Sequence, residues 1–438
     1  MEGEIDCSLS TIDSMTSRSM VQRQITDASY IRIDPKSCVK NSDEIEYIIH
    51  SKDDYFDLHQ TELEVKFRIK KSDGSNLGAG DKVSIINYPV ASLFSNVQVM
   101  LNNKEISHGG ANYAVRSYLE TLLSYGVDAS KGWLQAGLFH KDTAGQMDNG
   151  DPTLGDGAVN NRLKERAAYT NQSALAIARG KLHLDMFHQG KPLINNLEMK
   201  LRFFKNNDKF CVMATDNAEA YKVHIEDMAL FVRQQKVSPE MIKSVSQQSD
   251  SDIKANYQIS RVIMKEFQIT SGGKSLTINQ FHKGILPTKV VLAFTKNDAM
   301  VGDYALNPFN FKNYDLSELS LRVNGHELDG TTLKLDYDSN QFLDGYWSLF
   351  RATDKKYRDE SMMIEKKDYK NGYAIYGFDL TPSLCDDQYK DPKKDGRIDL
   401  NFTFSKNIPE VVSLYTYLQF DSEIVVNQAG IVTPLFEV

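Results

Sequence analysis

Val97-Gln98-Val99-Met100-Leu101-Asn102-Asn103-Lys104-Glu105-Ile106 and Leu319-Ser320-Leu321-Arg322-Val323-Asn324-Gly325-His326-Glu327-Leu328 are the two stretches that decide the fold. In each, apolar and polar residues alternate, the period-two signature of a strand with one face in a core. Each alternation ends on Asn-Asn or Asn-Gly, residues that tolerate the positive φ of a two-residue hairpin turn. The stretches align position by position, so one strand-and-hairpin unit occurs twice. Leu63-Glu64-Val65-Lys66-Phe67-Arg68-Ile69-Lys70 reads as a half-buried antiparallel strand. So do Leu197-Glu198-Met199-Lys200-Leu201-Arg202-Phe203 and Ile398-Asp399-Leu400-Asn401-Phe402-Thr403-Phe404, which align around Met199 and Leu400. Lys181-Leu182-His183-Leu184-Asp185-Met186 resembles Tyr376-Gly377-Phe378-Asp379-Leu380. Three matches in one order indicate tandem duplication of a β-domain. Val290-Val291-Leu292-Ala293-Phe294 does not alternate and fits either a strand buried on both faces or a short helical piece; its β-branched content favours the strand.

The Ser/Gln/Asp-rich stretch ending at Asp252 joins the two copies. This gives a first unit over 24–236, a linker over 237–256 and a second unit over 257–438, preceded by an arm over 1–23. The expected fold is all-β: two tandem eight-stranded jelly-roll sandwiches with short helices in loop excursions. One helix is announced by Val115, Tyr118, Leu119, Leu122 and Leu123, an apolar stripe with Gly126 placed to stop it. A second, over 340–350 with Trp347, would match it in the other unit. Residues 127–180 form a long excursion, and one of that length in a compact domain is usually functional or part of an interface. Trp133, Leu134, Leu138 and Phe139 stand in it among Gly, Asp and Asn, with little local core to enter. They are the expected contact residues between subunits.

The 438 residues carry 51 Lys and Arg against 59 Asp and Glu, a net charge of −8, the wrong sign for coating nucleic acid by counterion release. Cys7, Cys38, Cys211 and Cys385 form no CxxC pair and read as reduced, mostly buried thiols. No apolar run approaches the ~18 residues of a membrane span, and the start lacks a signal peptide, so a soluble product of a reducing compartment is expected. Gly273-Lys274-Ser275 has Gln268 where a phosphate loop needs glycine, and reads as a turn between strands. The acidic, glycine-rich 148–157 stretch lacks the ligand order of a calcium loop. His183 and His188 would face opposite sides of a continuous strand, which predicts no shared metal. His224-Ile225-Glu226-Asp227 is not HExxH, and no GxSxG elbow occurs. No catalytic residue, cofactor or metal site is therefore expected. The basic patches Lys355-Lys356-Tyr357-Arg358 and Lys390-Asp391-Pro392-Lys393-Lys394-Asp395 interleave with acids and read as solvated faces.

Tyr88-Pro89-Val90-Ala91-Ser92-Leu93-Phe94-Ser95-Asn96-Val97-Gln98-Val99, the Tyr113-Ala114-Val115-Arg116-Ser117-Tyr118-Leu119-Glu120-Thr121-Leu122-Leu123-Ser124-Tyr125 helix and Ala136-Gly137-Leu138-Phe139-His140-Lys141-Asp142 carry a more specific signal. They resemble the major capsid proteins of Polinton (Maverick)-type elements and adintoviruses. Gln428-Ala429-Gly430-Ile431-Val432 extends the likeness into the second unit. The resemblance implies a double jelly-roll hexon protein without enzymatic activity. Three chains would form a pseudo-hexagonal homotrimeric capsomer, and capsomers would tile an icosahedral shell with penton or minor capsid proteins. That shell would enclose double-stranded DNA without binding it tightly. The chain would be made in the host cytoplasm or nucleus and end in the virion capsid. The rival from another class is a double jelly-roll carbohydrate-binding module or amidase, which would need a Trp-lined cleft with paired carboxylates; Trp133 and Trp347 are the only tryptophans.

Overall fold

The computed structural model describes residues 24–40, 42–51, 54–107, 112–154, 160–240, 253–327, 332–381, 392–427 and 429–435. The 1–23 arm, Cys7, Cys385 and most of the 237–256 stretch lie outside these.

Ten strands precede the join: β1 (Ile25–Ile33), β2 (Glu44–Ser51), β3 (Tyr55–Lys71), β4 (Val83–Ile85), β5 (Phe94–Leu101), β6 (Lys104–Glu105), β7 (Ala176–Lys181), β8 (Leu197–Lys205), β9 (Val212–Ala214) and β10 (Tyr221–Val237). Ten follow it: β11 (Ile253–Ile269), β12 (Ser275–Ile285), β13 (Lys289–Lys296), β14 (Leu316–Val323), β15 (His326–Glu327), β16 (Leu333–Lys334), β17 (Ile375–Asp379), β18 (Asp395–Phe404), β19 (Val412–Asn427) and β20 (Val432–Leu435). The first ten form sheets of order β1-β10-β3-β7 and β2-β8-β5-β6, with β4 paired to β9. The second ten repeat that order as β11-β19-β13-β17 and β12-β18-β14-β15, with β20 and β16 added at the side. Each half is thus a jelly roll, and the pair is a double jelly roll.

The duplicated hairpins hold in detail. Asn102 and Asn103 take φ of 45° and 64°, and Asn324 and Gly325 take 54° and 83°, the left-handed pair that a tight hairpin needs. In both copies the first turn asparagine grips the neighbouring strand with its side chain. Asn102 Oδ1 accepts from the Glu198 amide at 2.9 Å, and Asn324 Oδ1 accepts from the Arg397 amide at 2.9 Å. This grip corrects the alignment. Register pairs Leu101 with Met199 and Val323 with Ile398, so Met199 corresponds to Ile398 and not Leu400. A slip of two residues keeps every side chain on its face, which is why alternation alone did not reveal it. The third match slips as well: 376–379 lies within β17, whereas β7 ends at Lys181.

β13 is buried along nearly its whole length, as its unbroken apolar run predicts. Phe294 meets Phe402 of the facing sheet edge-on at 5.5 Å, and the helical segment over 343–352 packs against the same strand. Helix α1 (Tyr113–Ser124) carries the expected stripe, all of it buried, but ends on extended Tyr125 and makes no left-handed use of Gly126. Helix α2 (Asn161–Thr170) lies inside the 127–180 excursion. Helix α3 (Leu343–Ala352) is the helix expected around Trp347; it sits so close to β17 that a Cβ on Gly377 would come within 2.6 Å of the Ala352 methyl. Gly273 and Lys274 lie in the turn between β11 and β12, and Ser275 opens β12. Cys211 is buried, but Cys38 is exposed, against the expectation of mostly buried thiols.

Candidate functional site

The excursion packs against the first jelly roll and, around 141–148, forms a seam with the second, which corrects the expectation that its apolar residues lack a core. Leu134, Leu138 and Phe139 are 1%, 3% and 0% exposed and pack within the chain. Phe139 lies edge-on to Tyr88 at 5.6 Å and beside Tyr118, and Tyr118 in turn stacks on Phe309 of the second half at 4.1 Å. Their partners come from remote sequence, so local composition hid the core they enter. Buried side chains cannot themselves touch another subunit. Trp133, 48% exposed and edge-on to Tyr125, is the one of the four that presents surface.

Polar groups fix this seam. Asp142 and Arg166 are both fully buried, joined by Arg166 Nη2 to Asp142 Oδ1 at 2.7 Å. Arg166 also donates to the Ile85 and His140 carbonyls. Asp142 accepts from Asn160 on its own side and, across the seam, from Asn307 Nδ2 at 3.2 Å. Tyr373 donates to the Asp142 carbonyl at 2.6 Å. The 148–157 turn is used in the same way, as far as it is described: Asp148 accepts from the Asn307 amide and from Asn310 Nδ2. Lys141 pairs with Asp368 at 2.5 Å. Nine of these groups, from both halves, converge with directional bonds, so the halves have one mutual orientation.

A second polar cluster lies at another point of the seam. α1 presents Arg116 and Glu120, four residues apart on one helical face. Arg116 Nε holds Glu120 Oε1 at 2.8 Å, and its Nη2 holds Asp185 at 2.7 Å. Glu120 Oε2 lies 2.7 Å from His183 Nδ1 and 3.1 Å from His188 Nε2. The expectation that the two histidines face apart fails because the strand ends at Lys181; a single 3₁₀ turn, Asp185–Phe187, swings His188 back toward His183. Alternation continues from Lys181 to Met186 and breaks only at Met186-Phe187, so the sequence signal for the turn is confined to that apolar pair. Among the described residues this is the group of three metal-ligating side chains whose ligand atoms lie within 4.8 Å of one another. Burial opposes the charge on Glu120, yet Arg116 and the two imidazoles hold its carboxyl well below the usual range. Burial also pulls His183 down to about 4, against the pull of Glu120. From the second half, Tyr417 OH reaches Glu120 Oε1 at 3.4 Å, and the Val262 amide donates to Asp185.

No family model matches the chain. An uncharacterized protein of Caenorhabditis elegans, F54H12.2, is 24% identical over 381 residues, covering 84% of this chain and 87% of that protein. A chain of the Sputnik virophage cryo-EM structure superposes with a TM-score of 0.64 at 12% identity, covering 96% of this chain and 91% of that one. The PBCV-1 virus capsid model gives 0.59 at 12% identity, over 97% of this chain and all (100%) of that one. The mavirus major capsid protein gives 0.51 at 12% identity, over 96% and 92%. The chain shares its double jelly-roll fold with these capsid structures.

Proposed function

We propose that this chain is a major capsid protein whose homotrimers form pseudo-hexagonal capsomers. The observation that carries the reading is the extent of the likeness: both jelly rolls, in order and across the seam, superpose on nearly the full length of viral capsid chains. Three copies of a two-sandwich chain place six sandwiches in a ring, which is how a trimer fills a six-fold position in a shell. Capsomers of this kind would tile an icosahedral shell, with penton and minor capsid proteins at the remaining positions, and place the chain in the virion. A net charge of −8 suits a wall that encloses double-stranded DNA without adhering to it. The residues quoted from 88–99, 113–125 and 136–142 favour the Polinton, Maverick and adintovirus lineage. A chain with this role has no catalytic duty.

The test is the solution state of the purified protein. Light scattering should give a trimer at micromolar concentration, and negative-stain images should show pseudo-hexagonal particles with a stable, largely apolar interface. A monomer at that concentration would overturn the reading.

A further inference from the structure

We propose that Glu120 Oε2, His183 Nδ1 and His188 Nε2 bind a divalent transition-metal ion of the zinc class at the seam, with the fourth position open to solvent. Two imidazoles and one carboxylate suit zinc and its neighbours, whereas magnesium and calcium call for oxygen ligands. Bonds of 2.0–2.1 Å in a tetrahedron separate ligand atoms by about 3.3 Å. The two carboxylate–imidazole separations, 2.7 and 3.1 Å, need a small opening, and the two imidazole nitrogens lie within 4.8 Å of each other.

The surroundings are those of a supported metal site. Arg116 and Tyr417 occupy Glu120 Oε1 and leave Oε2 to the imidazoles. Thr121 commits its hydroxyl proton to the Ser117 carbonyl, so its oxygen is an acceptor where it meets His183 Nε2 at 3.3 Å. Tyr88 OH lies 3.0 Å from the same nitrogen. With a proton on Nε2 directed at the Thr121 and Tyr88 oxygens, the Nδ1 lone pair faces Glu120 and is free to bind a cation. Outer partners that fix the ring and its tautomer in this way are typical around metal-bound histidine. A cavity of 270 Å³, lined in part by His188, Lys181 and Ser260, adjoins the three ligand atoms and has room for a bound water. His183, at the centre, is 2% exposed, while His188 faces the cavity and gives the ion an entry path.

The role of such an ion is structural. It ties α1 to the 183–188 turn, and that turn carries Asp185, the acceptor for Val262 of the second half. Occupancy therefore tightens the seam without any ligand from the second jelly roll.

The experiment uses the full chain, stripped with EDTA, dialysed, and titrated with zinc chloride by calorimetry and with Co²⁺ by visible absorption. One zinc per chain at micromolar concentration and an intense four-coordinate cobalt band are expected. His188→Ala should weaken zinc binding at least tenfold with an unchanged far-ultraviolet spectrum. Absence of binding, a weak six-coordinate cobalt spectrum, or a variant that titrates like the parent would overturn the proposal. If the variant does not fold, the native chain decides it: zinc should protect His188 from diethylpyrocarbonate, read by peptide mass spectrometry, and an equally modified His188 with and without zinc would overturn the proposal.

Discussion

Arg166→Met should loosen the seam through Asp142, which Arg166 holds and which bonds Asn307 and Tyr373 of the second half. Methionine keeps an unbranched stem but removes the three donors that reach Ile85 O at 3.1 Å, His140 O at 3.0 Å and Asp142 Oδ1 at 2.7 Å. Both members of the ion pair are wholly buried, so water cannot replace the lost guanidinium. Removing one partner of such a pair costs about 3–5 kcal/mol, because the other charge is left uncompensated. The two carbonyls keep a smaller share of the loss, since each retains a second lone pair. The assay is urea unfolding at fixed protein concentration, followed by Trp133 fluorescence in the first half and Trp347 in the second through single-tryptophan variants. In the parent the two probes should report one transition. In Arg166→Met the midpoint should fall by the equivalent of about 4 kcal/mol, and the transitions should separate as the halves uncouple. Adding Asp142→Asn removes the orphaned charge and should return at least about 1 kcal/mol. A loss under about 1 kcal/mol with coincident transitions would refute the view that this pair locks the seam.

Asn102→Ala and Asn324→Ala should each cost about 1–2 kcal/mol in urea unfolding, since each removes a side-chain acceptor for a strand amide and places a Cβ-bearing residue without local hydrogen bonds at positive φ; Asn102→Ala should cost the more, because Asn102 Nδ2 also donates to the Gly430 carbonyl at 2.8 Å, and a cost near zero for either would refute the grip. Trp133→Ala should leave chain stability within about 1 kcal/mol and raise the dissociation constant of the proposed trimer, measured by analytical ultracentrifugation. His140 is pushed below its ordinary value of 6.5 by burial and by Arg166, with Glu165 opposing. Its neutral form is the one the fold prefers, so its contribution is whole above pH 6.5 and is lost as pH falls below that value, with a slope of at most about 1.4 kcal/mol per pH unit; His140→Gln should flatten that part of the stability curve.

How much was legible follows from which residues are locally determined. The hairpins at Asn102 and Asn324 could be read because turn chemistry acts over two residues, and the flanking alternation fixes which face is buried. The same period of two left the repeat alignment free to slip by two residues, and only the paired register of Met199 and Ile398 removed that freedom. Leu134, Leu138 and Phe139 were misread for a different reason. Their core is supplied by Tyr88, Tyr118 and, through Tyr118, Phe309, so no window around residue 136 contains the information. Asp142 and Arg166 were invisible as a site because charged residues are normally solvated, and burial of such a pair depends on tertiary context alone. His183 and His188 were misassigned by extending a strand past Lys181, because the alternation runs on to Met186 although the ladder stops at Lys181.

The polar character of the seam bears on the proposed role. Each half has its own sheet pair and the same strand order, so an apolar join would have been enough to hold the two together. An apolar join is non-directional, and sliding along it costs little. Asp142, Asp148, Asn307 and Tyr373 instead impose bonds with defined angles, and a displacement of a few ångströms would strand several of them without partners. Such a seam gives no more stability than good packing would. What it adds is a fixed angle between the sandwiches of one chain. In a ring of six sandwiches made from three chains, that internal angle must match the angle formed between chains for the ring to close. A trimer built from Arg166→Met should therefore lose its pseudo-hexagonal regularity before it loses its oligomeric state, and averaged particle images with intact hexagonal outlines would count against this account of the seam.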